Sequence, residues 1–522
     1  MEYGYLDAKV SAPFLKAYLD SYTASLTYNV DEGNQYKIGA VDIKMPKDFM
    51  DVEKLKEAMV LEHGDVFDIT LLRKDVKRVE TAVANLGYAY VRVIPDIKKK
   101  EDEAIADIYL RIIPGEKVYI NDVRISGNSR TIDRVVRRDI FLAAGDLYNR
   151  TDLADTKGAL GRSSYFDNVN IVEKRVSKDK IDLIVNVTEA STGSIGGGIG
   201  YGSSDGLLLS ANLSDSNIFG SGMKAGIDIE RSDNELSGRL SLTNPRLFDS
   251  IYNLGGSIYR QDTENNYDST TDYDVTTTGF NITLGRKLGR FWGVSLGYIL
   301  EDKEYDYSNT SSAYKKLYPD LLKSSFVPSL KFNNTDSYQL PRKGISFQTS
   351  LEFAGAGGDA EFVKSISKFN YYYGLQDSIK YDLILRYKAQ FKYLVDNGFV
   401  PVDEYLTMGG VNTIRGYNSG SIGPIDKKTI AGASYYNGNM MFANSVEASF
   451  PLIERLKMRG AFFLDYGMIG HDSIDDEIRA GTGFVLEWVS PMGPISLIFA
   501  KPLLEESGDE TSSFEFTMGR QF

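Results

Sequence analysis

The chain holds little that could make or break a covalent bond. It has no cysteine and only two histidines, His63 and His471, far apart in the sequence. Thiol nucleophiles, disulfides, thiolate metal sites, a Ser-His-Asp triad and a histidine-rich metal centre are therefore not expected. Gly202-Ser203-Ser204-Asp205-Gly206 fits the G-x-S-x-G pattern, but that elbow needs a strand-to-helix turn, and here the pattern joins two alternating segments as a hairpin. No phosphate-binding loop occurs, and the acidic runs 268–274 and 472–477 read as solvated loops. The expectation is a protein that is not an enzyme and uses neither cofactor nor metal.

What remains is electrostatic chemistry. Gly409-Gly410-Val411-Asn412-Thr413-Ile414-Arg415-Gly416-Tyr417 lies within a stretch of roughly 398 to 438 that shows no strand alternation, although alternating segments flank it. A loop of that length in a compact fold is either functional or disordered, and its apolar residues and paired glycines argue for a packed excursion into an interior. A guanidinium buried there needs an anionic partner. Two candidates follow, Glu447 in Ser445-Val446-Glu447 and Asp465 in Phe463-Leu464-Asp465. The plainer alternative leaves Arg415 as a solvated loop residue.

The segments around that loop have period two. Ile345, Phe347, Thr349, Leu351 and Phe353 share one face and Ser346, Gln348, Ser350 and Glu352 the other. Tyr381, Leu383, Leu385, Tyr387, Ala389, Phe391 and Tyr393 alternate with charged and polar residues, Ile384 being the exception. Such strands suit a wall between lipid and an aqueous lumen, and about sixteen of them fit between Gly193 and Phe522, the even count expected of a bacterial barrel. A soluble stack of β-sandwiches would use much shorter strands. Apolar runs fall short of a membrane helix. The supply of 34 Tyr, 26 Phe and 49 Gly favours strands with aromatic girdles. In this periodicity Phe462, Leu464, Tyr466 and Met468 face lipid, so Asp465 points inward; Val446, Ala448 and Phe450 face out, so Glu447 also points inward. Arg415 can then bridge both carboxylates.

The first third is built differently. Glu32-Gly33-Asn34-Gln35-Tyr36-Lys37-Ile38 returns as Pro114-Gly115-Glu116-Lys117-Val118-Tyr119-Ile120, a shift of 82 positions. Repetition at that spacing indicates an array of small domains. Each repeat reads as strand, two helices and two strands. In the first complete one, helices are predicted over 52–60 and 70–86, with Asp68 as N-cap, and strands over 88–97 and 104–113. The next places helices near 131–141 and 150–164. Residues 1–32 contain closing strands of an earlier repeat. Exposed strand edges in these repeats could bind extended segments of other proteins, or the repeats could serve as spacers. The net charge of -13 disfavours nucleic acid as a partner.

These features together resemble the outer-membrane protein assembly factors of the BamA type. The resemblance is carried by the repeats, the sixteen-strand barrel and Ile414-Arg415-Gly416-Tyr417. It extends to Gly197-Gly198-Ile199-Gly200-Tyr201-Gly202, to the turn Ser216 to Gly222, to Asn244-Pro245-Arg246-Leu247-Phe248, to Ser490-Pro491-Met492-Gly493-Pro494, and to the terminal Phe514 to Phe522. It implies an N-terminally truncated member, since Met1 to Tyr5 lacks the regions of a signal peptide and the family carries more repeats. The implied domains are a remnant of a POTRA domain at 1–32, a POTRA domain at 33–113, the last POTRA domain at 114–191 and a transmembrane barrel at 192–522. The family's loop arginine pairs with acidic residues on barrel strands twelve and thirteen, which would be Glu447 and Asp465.

The resemblance also implies an insertase whose first and last barrel strands part as a lateral gate. The gate would consist of Gly196, Gly197, Gly198, Ile199 and Gly200 against Phe514, Phe516, Met518, Gly519 and Phe522. Its expected partners are unfolded outer-membrane β-barrel proteins, accessory outer-membrane lipoproteins, periplasmic chaperones and the lipid bilayer, with the POTRA domains in the periplasm. The glycines of the first strand leave few side chains to pack, which weakens its pairing; the plainer alternative is that they relieve crowding near the last POTRA domain. The runner-up function is a polypeptide secretion transporter of the two-partner type, which shares the repeats and an equivalent loop. A passive porin would lack the repeats.

Overall fold

The computed structural model describes residues 3–18, 20, 22–46, 49–202, 206–265, 273–306, 319–337, 340–426, 435–490 and 493–518. It divides into two compact units, Met1–Ala190 and Ser191–Phe522.

The front unit opens with β1 (Lys9–Val10), a hairpin of β2 (Phe14–Tyr18) and β3 (Thr23–Thr27), and β4 (Val30–Asp31), which pairs with β1. The first repeat then runs β5 (Lys37–Lys44), α1 (Val52–Lys56), α2 (Ile69–Ala84), β6 (Arg92–Lys100) and β7 (Ile105–Ile113). The second runs β8 (Tyr119–Ser126), α3 (Asp133–Arg137), α4 (Arg150–Arg162), β9 (Phe166–Arg175) and β10 (Lys180–Glu189). In each, the last strand lies in the middle, parallel to the first and antiparallel to its predecessor, in the orders β5-β7-β6 and β8-β10-β9.

The long helices start where a side chain satisfies their free N–H groups. Asp68 accepts from Thr70 N and Leu71 N, and Asn149 from Thr151 N and Asp152 N. Leu72, Val79 and Val83 of α2 are buried in a core shared with Ile38, Ile108 and Leu110. Three expectations need correction. The strand predicted from Tyr88 begins only at Arg92, because Gly87 at φ +97° and a bond from Val91 N to Tyr88 O turn the chain first. The first helices are single short turns, Val52–Lys56 and Asp133–Arg137, rather than the longer spans read from periodicity.

The second unit is a barrel. Its first half comprises β11 (Gly193–Gly202), β12 (Gly206–Asp215), β13 (Lys224–Arg231), β14 (Glu235–Asn244), β15 (Tyr252–Asn265), β16 (Tyr273–Leu288), β17 (Trp292–Asp306) and β18 (Leu321–Asn333). Then come β19 (Lys343–Ala354), β20 (Glu361–Gly374), β21 (Ile384–Phe399) and, inside the following loop, the short pair β22 (Ile425–Asp426) and β23 (Tyr435–Tyr436). The wall resumes with β24 (Met440–Ile453), β25 (Met458–Gly470), β26 (Glu477–Ser490), β27 (Gly493–Leu504) and β28 (Phe514–Met518). Sixteen antiparallel strands close from β11 round to β28. The repeats followed by this barrel form the expected fold class.

Period two decides the faces. Phe462 and Leu464 are exposed on the outside of β25, whereas Phe463 and Asp465 are buried within. β21 starts at Ile384, so Tyr381 and Leu383 belong to the preceding turn, and Ile384 breaks the pattern because it is an apolar side chain buried on the inner side. Residues 203–205 of the G-x-S-x-G match lie outside the described residues; Gly202 pairs with Gly206 across two antiparallel strands. Gly193 marks the near end of the barrel. The turns after β12, β14 and β16 share that end, and residues 400–439 leave and rejoin the wall at the far end.

Candidate functional site

The described part of the loop, residues 400–426 and 435–439, packs back against the inside of the wall. Ile414 and Tyr417 are fully buried in a cluster with Leu406, Met408, Ile422, Met441, Ala443 and Ile469. Gly416 takes φ +100°, and a Cβ there would press on the backbone of Lys501 and Pro502, so the turn between Arg415 and Tyr417 needs glycine on both counts. The Tyr417 hydroxyl donates to the carbonyls of Ala480, at 3.2 Å, and Leu504. The loop backbone pairs with the β27–β28 connection: Asn418 N donates to Glu510 O at 2.9 Å and Ser512 N to Gly416 O at 3.0 Å.

This packing delivers Arg415 to the two carboxylates. Its Nε and Nη2 donate to Asp465 at 2.7 and 2.6 Å, and its own backbone N–H donates to the same carboxylate at 3.0 Å. Nη1 lies 2.9 Å from Glu447 Oε1, and Nη2 also donates to Ser445 Oγ at 2.8 Å. The guanidinium carbon lies over Phe463, 3.6 Å from the ring centroid. All three charged groups are buried. A planar fork with several donors suits this arrangement, because each carboxylate withdrawn from water regains hydrogen bonds in fixed directions.

The cluster extends through residues that sequence reasoning missed. Glu447 also meets Lys388 at 3.1 Å and Arg386 at 3.4 Å, and Arg386 clamps Glu487 at 2.6 and 2.9 Å. Ser449 Oγ accepts from both Arg386 and Arg459 at 2.9 Å, and Arg459 continues to Asp382 at 2.7 Å. A second anchor holds the loop's first leg. Glu404 is buried among Lys303, Lys323 and Lys364 at 3.2, 2.8 and 3.0 Å, while Asp403 contacts Lys303 and Tyr305. Those lysines lie on β17, β18 and β20, so the loop is tied to the wall at a second place along the strand order from β24 and β25. Only the charge of these residues was visible in the sequence; nothing local paired them.

The predicted gate residues that are described lie on β11 and β28. Gly196, Gly197, Gly198, Ile199 and Gly200 pair on one edge with Asn212, Ala211, Ser210, Leu209 and Leu208 of β12. On the other edge, β11 and β28 share a single register pair among the described residues, Gly202 with Thr517. Phe514, Phe516 and Met518 pair instead with Phe499, Leu497 and Ile495 of β27. Across the seam, the Tyr201 and Phe516 rings are 6.2 Å apart. Gly519 and Phe522 lie outside the described residues. Between Phe514 and Phe516, Glu515 turns inward, buried, with one oxygen 3.5 Å from Gly416 N and the other without a hydrogen-bond partner.

Residues 217–522 match the model of the Omp85 superfamily domain, and residues 36–115 and 118–190 each match the POTRA model, described as surface antigen variable number repeat. The chain belongs to the Omp85 superfamily. Within this superfamily it is 31% identical over 540 residues to the outer membrane protein assembly factor BamA of Nitratidesulfovibrio vulgaris, with 100% of this chain aligned to 66% of that protein. The barrel and repeats superpose on the crystal structure of Haemophilus ducreyi BamA lacking POTRA domains 1–3, with a TM-score of 0.76 at 23% identity, covering 93% of this chain and 99% of that one. CdiB from Acinetobacter baumannii shares the fold more distantly, with a TM-score of 0.53 at 12% identity over 94% of this chain and 90% of that one. This Omp85 chain is of the BamA type, and its barrel is an outer-membrane barrel.

Proposed function

We propose that the chain folds β-barrel proteins into the outer membrane by parting β11 from β28 and offering the freed edge to a client strand. The observation that carries this reading is the seam, where among the described residues one register pair, Gly202 with Thr517, stands against ten between β11 and β12. A client entering hydrocarbon with unpaired backbone groups faces several kcal/mol per group, and an edge that pairs with it first removes that barrier. Nothing covalent is broken, so the accelerant is a template rather than a reactive side chain. The POTRA repeats, placed in the periplasm, would receive clients from chaperones and hold accessory outer-membrane lipoproteins. The similarity to BamA proteins supports the same role.

Because the chain has no cysteine, Gly202→Cys with Thr517→Cys gives a single defined cross-link across the seam. Reconstituted in liposomes with accessory lipoproteins and an unfolded barrel client, the oxidised double variant is expected to lose most of its acceleration of client folding and to regain it on reduction. Full acceleration with the seam locked would rule out the opening.

A further inference from the structure

The outward face of β14, β15 and β16 carries a groove of about 550 Å³, walled by Leu240, Leu242, Leu254, Ile258, Phe280 and Ile282. Its floor is Gly256, which pairs with Leu242 on one side and Ile282 on the other, so a missing side chain opens the trough. Followed toward the near end, the outward pairs are Leu254 with Leu284 and then Tyr252 with Arg286. A cation thus stands in the file of lipid-facing residues. Arg286 Nη1 donates to the Tyr252 hydroxyl at 3.4 Å, its Cζ lies 5.6 Å from the Tyr252 ring centroid, and its Nε is shut off from solvent without a hydrogen-bond partner.

On a face turned to lipid, a guanidinium with no carboxylate paired to it among the described residues finds its anion in a headgroup. The level is right for one. Trp292 packs against Phe332 beside it, ring centroids 4.7 Å apart and tilted at 52°, and Phe248, in the turn between β14 and β15, is 90% exposed at φ +51°. A bulky apolar residue held in a left-handed turn and pushed outward fits the boundary between headgroups and acyl chains. From Arg286 to Phe280, six residues of strand span about 20 Å, the reach of an acyl chain.

We propose that this face binds one anionic glycerophospholipid from the near-end leaflet. Its phosphate rests on Arg286 and the Tyr252 hydroxyl, and one acyl chain fills the trough over Gly256. A zwitterionic lipid is the poorer ligand because its own ammonium neutralises its phosphate. The site requires only the outer-membrane barrel and is independent of the insertion mechanism.

Trp488→Phe leaves Trp292 as the sole tryptophan of a chain that has two. In phosphatidylcholine nanodiscs, acyl-brominated phosphatidylglycerol is expected to quench Trp292 at about fivefold lower mole fraction than acyl-brominated phosphatidylcholine, the preference one basic residue confers at a membrane surface. Arg286→Gln should abolish the preference. Gly256→Leu should abolish it too by filling the trough, and it is compatible with folding, since a Cβ there meets only Asn281 O at 3.5 Å. Heat-modifiable migration on gels confirms that each variant is folded. Equal quenching by the two lipids, or a preference that persists in Gly256→Leu, overturns the site.

Discussion

Arg415 illustrates how much one side chain can be asked to hold. Its substitution by alanine would leave Asp465 with only the loop's own backbone N–H from this segment and Glu447 with Lys388 and Arg386. Breaking a buried pair from one side costs about 3–5 kcal/mol, most of it from the charge left behind. Arg415→Lys should fare little better, because one ammonium cannot span Asp465, Glu447 and Ser445 in the geometry of the fork. The temperature at which the folded barrel loses its fast gel migration is expected to fall in both variants; a transition matching the unsubstituted protein would show that the cluster contributes nothing. The trio was legible because alternation fixes which side of a strand each residue faces, and loss of alternation marks the loop. Arg386, Arg459 and Glu487 were not, since charged residues are ordinary on any lumen-facing strand, and Arg386 meets Glu487 across 101 positions. Glu404 was not legible either, because its three lysines sit on strands earlier in the chain.

Among elements, β25 and β26 are shaped by what lies against them. Gly481 faces inward opposite Asp465, and a Cβ there would come within 2.0 Å of Arg415 O. Gly481→Ala must therefore displace the loop, whereas Gly193→Ala on β11 meets nothing within 4 Å. Limited proteolysis of the intact barrel should cut within 400–439 in the first variant and leave the second unchanged. Glycine in a strand reads from sequence only as a weak point, and the reason for this one is the backbone of a segment 66 residues away. In the front unit, Glu189 at the end of β10 gathers the approach to α3, accepting from Ser129 Oγ at 2.8 Å, Arg130 N at 3.0 Å and Thr131 N at 2.6 Å. Burial alone would push its carboxyl up, but these hydrogen bonds outweigh it and carry the pKa from 4.5 down to about 2. A depressed carboxylate contributes stability above its unfolded value and loses it as the pH falls through the folded one. The melting difference between the unsubstituted protein and Glu189→Gln should thus be largest above pH 4.5 and disappear as the pH drops through about 2.

At the scale of the whole molecule, the two units have separate cores, one of packed sheet and helix and one of wall and loop. Calorimetry of the intact chain in detergent should show two transitions, with Arg415→Ala moving only the barrel's. A single transition shifted as a whole would mean that the units melt together. The architecture was the most legible feature, because repetition announces the repeats and period two announces the barrel. What periodicity cannot convey is how the enclosed segment loads the wall. Its ion pairs and hydrogen bonds run from β17 and β18 through β20, β24 and β25 to the Leu504–Glu515 corner. That arc is braced from within, while β11 to β16 are joined to one another by strand pairing, and β11 carries a run of glycines. A shell stiffened along one side yields on the other when pulled sideways. If the seam parts as proposed, the opening is expected to be directional, with β11 the leaf that swings and β28 the post on which it closes.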